Sequence, residues 1–78
     1  MTTIYRIEIY AYQDGDETTA VPMSDFYLNK NDAEKELARI KRLTLNELNN
    51  ELEKVGAYMT TWKFGHNKPE IETYNLID

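Results

Sequence analysis

The residues best suited to chemistry stand together in IYRIEIYAYQDGDE, Ile4 to Glu17, where Tyr10 and Tyr12 run directly into Asp14, Asp16 and Glu17. Tyrosine beside carboxylates suits a surface that grips positive charge. The rings supply desolvated anchor area and cation–π attraction, and the acids supply steering and pairing. The charge distribution supports this. Between Arg6 and Lys30 there is no basic residue, while Glu8, Asp14, Asp16, Glu17 and Asp25 are all acids; that excess of five equals the whole net charge of −5. The same acids also fit a solvated loop that keeps a domain soluble.

Other chemistries fit less well. His66 is the only histidine and stands in the turn-like GHNKP, with no positioned nucleophile to complete a hydrolytic triad. Nothing marks an enzyme. DGDE fails as a calcium loop, which needs acids at alternate positions, glycine sixth and glutamate twelfth. The glycines at 15, 56 and 65 are too scattered to cradle a phosphate, so no cofactor or metal is expected. Direct nucleic-acid binding lacks a positive field, because the strand bearing Tyr10 and Tyr12 leads into the most acidic region. RIKR, with Arg39, Lys41 and Arg42, fits a solvated helix face paired with Glu36. A duplex carries one charge per about 1.7 Å, so copying about 20 Å of it takes about a dozen carboxylates. Five acids can at most fill a local basic pocket.

Seventy-eight residues form one domain, 1–78, with one core. The absence of cysteine fits a reducing cytoplasm, and no apolar run approaches a membrane span. The elements that must position the tyrosines follow from periodicity. From Ile4 to Tyr12, the set Tyr5, Ile7, Ile9 and Ala11 alternates with Ile4, Arg6, Glu8, Tyr10 and Tyr12, giving a strand with one apolar and one mixed face. QDGDETTAVP is expected to be a loop or wide hairpin, and MSDFYLN a short edge strand.

Helix is expected from NKNDAEKEL, with Asn31 as cap and Glu34 completing a capping box, to Val55 before a left-handed Gly56. A single straight helix would place Lys41 in its apolar arc and leave out Leu43. Thr44 and Glu47 form a second capping box, so a kink or break there would let Ala33, Leu37 and Ile40 line one segment and Leu45, Leu48, Leu52 and Val55 the next. Both the unbroken and the broken helix stay open. AYMTTWKF and EIETYNLI are expected to pair as a hairpin around GHNKP. The resulting class is α+β: a small antiparallel sheet of three to four strands, element order β-β-α-β-β, with one long or kinked helix on one face. Trp62, Phe26 and Tyr5 are the expected core aromatics; Tyr10, Tyr12 and Tyr27 lie nearest the acids.

In overall style the chain resembles the small acidic accessory proteins of phages and mobile elements, including anti-CRISPR proteins and other defence inhibitors. The resemblance is carried by IYRIEIYAY, by DGDE beside it and by DFYLNKNDAEKELARIK as strand into capped helix, in a short cysteine-free chain. No residue-level motif carries it, so no functional residue transfers. It implies non-enzymatic inhibition in the host cytoplasm through a basic, nucleic-acid-binding protein partner, such as a CRISPR-type nuclease complex. Tyr10, Tyr12, Asp14, Asp16 and Glu17 are the residues expected to bind it. Two alternatives remain. One is an oligomer that sequesters a small nucleotide signal, with Arg39, Lys41, Arg42, Lys63, His66 and Lys68 as its only basic groups; the other is a host-takeover interaction module with no defence role.

Overall fold

The computed structural model describes residues 1–13, 18–60 and 68–77. Their element order is β1 (Thr2–Gln13), β2 (Thr18–Pro22), α1 (Lys30–Lys41), α2 (Leu45–Glu53), β3 (Ala57–Tyr58) and β4 (Glu70–Leu76). At about 3.3 Å per residue the twelve residues of β1 span about 40 Å, which matches the longest dimension of the molecule, 38 Å. β1 is the spine of the sheet, and β2, β3 and β4 all pair with it antiparallel.

The two edges of β1 are filled differently. Tyr5 exchanges both backbone hydrogen bonds with Tyr27 (2.9 and 2.7 Å), and the Ile7 carbonyl accepts from the Met23 amide at 2.7 Å. Odd-numbered residues of β1 therefore bond towards the side that holds β2 and its continuation to Tyr27. The Ser24 hydroxyl takes the Ile7 amide at 3.1 Å, where a regular strand would offer a carbonyl. Even-numbered residues bond towards the other side, where β4 lies along Thr2 to Glu8 and β3 along Tyr12 and Gln13.

Several expectations are corrected. The element order is β-β-α-α-β-β, not β-β-α-β-β, and the single long or kinked helix is two separate helices. Thr44 is extended (φ −74°, ψ 167°); its hydroxyl accepts from the Glu47 amide at 3.2 Å and its amide donates to the Glu47 carboxylate at 2.9 Å. That reciprocal box starts a new helix with its own phase, so the apolar stripe no longer has to include Lys41. Asn29 rather than Asn31 caps α1, accepting from the Asn31 amide at 2.8 Å.

The sheet differs as well. Residues 18–22, expected in a loop or wide hairpin, form β2, which pairs antiparallel with β1. Pro22 stands opposite Glu8, an even residue that bonds the other way, so the missing proline N–H costs the ladder nothing. The C-terminal hairpin is not what the described residues show, because β3 and β4 each pair with β1 instead of with each other. A two-residue β3 leaves room on the same edge for a seven-residue β4. The segment 61–67, with Trp62, Phe64 and His66, lies outside the described residues.

The core forms between one sheet face and the helices. Ile7, Ile9, Ala11 and Val21 from the sheet meet Ile40, Leu48 and Leu52, with Ala57 and Met59 closing one end. Leu37 and Ile40 on α1 and Leu45, Leu48 and Leu52 on α2 face this core and Ala33 is buried, as the broken-helix pattern requires, whereas Val55 is exposed. Asn49 secures the exit of β3 by bonding both the amide and the carbonyl of Met59, at 2.7 and 2.9 Å. Gly56 adopts φ +72° with open space where a side chain would stand, so the backbone angle alone calls for glycine there. Among the described residues no helix is long and apolar enough to cross a membrane.

Candidate functional site

The helices cover only one face of the sheet. The opposite face carries Ile4, Arg6, Glu8, Tyr10 and Tyr12 of β1, with Ala20 and Thr18 beside the tyrosines on β2, Tyr58 on β3, and Glu70, Glu72, Tyr74 and Leu76 on β4. A strand read two residues at a time produces this division, since successive side chains point to opposite faces.

Tyr10 and Tyr12 share this open face, as expected, in different environments. Tyr10 is 51% exposed, and its neighbour across the β1–β2 pair is the small Ala20. Tyr12 is half-buried and stacks on Tyr58, with ring centroids 5.4 Å apart and planes inclined by 23°. Asp14, Asp16 and Glu17 follow Gln13 directly in the chain and lie outside the described residues.

Below the tyrosines an ionic and aromatic cluster crosses from β1 to β4. One oxygen of the Glu8 carboxylate accepts from Arg6 Nε at 3.0 Å and Nη2 at 2.9 Å, and from the Tyr74 hydroxyl. The Arg6 guanidinium lies 4.4 Å from the centre of the Phe26 ring and 5.7 Å from that of Tyr74; Phe26 meets Tyr74 edge-on at 5.8 Å. Glu8 is thus 8% exposed on an otherwise open face. Donating to Glu8, with burial as a second cause, raises the Tyr74 phenol above its ordinary range.

Arg6 is therefore held on the sheet by its own carboxylate and rings. Beside this cluster Glu8, Tyr10, Ala20, Lys68, Glu70 and Glu72 line a shallow cleft of about 120 Å³. Three acids and one lysine give it a negative balance.

A larger groove of about 430 Å³ opens on the helix side, between residues 22–27, the middle of α1 and the C-terminal end of α2, and includes Asp25, Tyr27, Glu36, Glu51 and Lys54. Its acids are largely compensated. Arg39 holds Glu36 at 2.5 Å and Glu51 at 2.9 Å, and this hydrogen bonding keeps the Glu51 carboxyl below its usual range. Arg39 thus fills the structural role expected of the RIKR cluster. Burial, followed by the Glu36 and Asp25 charges, raises the Tyr27 phenol. Among the described residues no three metal-ligating side chains stand together.

The sequence reading missed Tyr58, Tyr74 and Phe26. Phe26 was expected in the core and is 48% exposed, because Tyr27, the next residue, turns inward to pair with Tyr5. Tyr58 could be found only by knowing that β3 pairs with β1. The Arg6–Glu8 pair was legible, since residues two apart on a strand share a face. Neither a family model, nor a curated protein, nor a solved structure matches the chain.

Proposed function

We propose that this protein is a non-enzymatic inhibitor that docks its open sheet face on the basic site of a nucleic-acid-handling host protein, such as a CRISPR-type nuclease complex or a similar defence protein. The observation that carries the reading is the exposed aromatic face of Tyr10, Tyr58 and Tyr74, whose one arginine is already held by Glu8 and whose margin carries Glu70 and Glu72. Such a face offers ring surface and negative charge together, which suits arginine and lysine side chains. Asp14, Asp16 and Glu17 extend the same chemistry along the chain. Nucleotide sequestration has less support, because Arg39, one of the basic groups it would draw on, is already paired with Glu36 and Glu51.

The test is affinity capture from host lysate, followed by competition between the captured protein's nucleic acid and the purified 78-residue chain. Wild type should displace the nucleic acid, with affinity falling as salt rises. Tyr10→Thr, or the combined Asp14→Asn, Asp16→Asn and Glu17→Gln, should weaken displacement at least about tenfold, the equivalent of about 1.4 kcal/mol. Capture unchanged by both variants, or a captured partner with no nucleic-acid site, would overturn the reading.

A further inference from the structure

The outer edge of β4 is the longest unpaired backbone edge among the described residues. Even-numbered residues of β1 bond towards β4, and their partners there are Leu76, Tyr74, Glu72 and Glu70. The amides and carbonyls of Ile71, Thr73 and Asn75 therefore point away from the sheet, and among the described residues none has a backbone partner. The opposite edge is protected, since β2 is five residues long and ends in Pro22. β4 has seven residues with no proline, lysine or interruption, so of the usual devices that keep an edge from pairing it carries only the charges of Glu70 and Glu72 in its first half.

β4 also complements itself. Its first half carries Glu70 and Glu72, and its second half carries Tyr74, Leu76 and the following Ile77, which are 37%, 47% and 95% exposed. An antiparallel copy brings the two halves together.

We infer that the protein forms a two-fold dimer by antiparallel pairing of β4 with β4 of a second copy, centred on Thr73. In that register Thr73 exchanges both backbone hydrogen bonds with the partner subunit's Thr73, and Ile71 does so with the partner's Asn75 in each direction, six bonds in all by the antiparallel pattern. The close, non-bonded positions then set Glu72 against the partner's Tyr74 and Glu70 against the partner's Leu76. Shifting the pairing towards the strand's start puts Glu72 opposite Glu72, or Glu70 opposite Glu72 with Pro69 where a donor is needed. Shifting it by one residue the other way leaves Glu70 and Ile71 facing past the partner's Leu76, the end of β4, so the bonded ladder falls to the two Thr73–Asn75 pairs. The Thr73-centred pairing alone keeps the full length of β4 paired, and it avoids like charges face to face, which are unfavourable at directly opposed positions. The two-fold axis runs through the sheet, so both helix layers fall on one side and both tyrosine faces form a continuous surface on the other. The dimer leaves the proposed partner face uncovered and stands independently of it.

The chain has no cysteine, so a single introduced thiol reports the register. Thr73→Cys should form a covalent dimer readily under diamide, because paired residues lie about 5.5 Å apart, within disulfide reach. Ile71→Cys and Asn75→Cys should not, because four residues of offset separate each pair of identical positions by about 13 Å along the strands. Sedimentation velocity across a concentration series gives the unmodified state. Thr73→Pro should weaken the dimer at least tenfold and leave the fold intact by circular dichroism, since the Thr73 amide has no partner within the protomer. A wild-type chain that stays monomeric to millimolar concentration, equal cross-linking at all three positions, or a dimer unaffected by Thr73→Pro would each overturn the inference.

Discussion

Ile7, Ile9 and Ala11 are almost wholly shielded, while Tyr10, between two of them, is half-exposed. One strand thus makes both the core and the candidate site, separated only by the two-residue period of its side chains. The comparison shows where each kind of substitution should act: on the helix-covered face it should change stability, and on the open face it should change binding. Glu8 stands between the two categories, since it belongs to the open face by position and to the interior by exposure. Its neighbours Arg6 and Tyr74 account for that, satisfying the carboxylate where water would otherwise have to.

The sharpest way to test the division is Ile9→Ala. Removing three buried carbons between the sheet and the helices should cost about 3 kcal/mol, a large part of the roughly 4–12 kcal/mol available to a chain of this length. Urea unfolding followed by circular dichroism would measure it. A loss below about 1 kcal/mol would mean that this face is not the core.

Glu8→Gln tests the intermediate case. It keeps the shape but removes the charge that holds Arg6 and Tyr74, and should cost about 1–2 kcal/mol, more than an exposed position and less than a core one. The Tyr74 contact also has a pH signature. The phenol is raised in the folded state, so its contribution is fully present below the ordinary tyrosine value near 10 and is lost as pH rises through the folded-state value. Melting curves should therefore show wild type losing stability above about pH 10 relative to Tyr74→Phe. Parallel alkaline profiles for the two chains would show that the Glu8 contact contributes nothing.

Much of this arrangement was legible in the residues, but unevenly. The two faces of β1 follow directly from alternation, and the second helix start follows from Thr44 and Glu47, because a capping box is a local signal. Pairing partners were not legible. Nothing local in Ala57–Tyr58 or in Glu70–Leu76 says that both lie along β1; that choice depends on β1 being long enough to accept two strands on one edge. Phe26 and Tyr27 show the same limit, since which of two adjacent aromatics turns inward is decided by the Tyr5 pairing across the sheet. Of the five expected binding residues, the fold positions Tyr10 and Tyr12, because regular strand geometry fixes their side chains. Asp14, Asp16 and Glu17 fall outside the described residues, so only their place in the chain bears on the site.

The smallest effect on stability should come from the residue expected to matter most for binding. Tyr10→Thr puts a β-branched residue into the strand and removes a half-exposed ring that lies across from the small Ala20 on β2, so the fold should change by no more than about 0.5 kcal/mol. Tyr12→Thr should cost slightly more, about 0.5–1.5 kcal/mol, because it also loses the stack on Tyr58. Measured side by side, the two separate recognition from support. If Tyr10→Thr abolishes partner capture at unchanged melting temperature, the open face binds through its uncovered ring; if only Tyr12→Thr weakens capture, and in proportion to lost stability, the tyrosines of this face serve the sheet and the binding surface lies elsewhere.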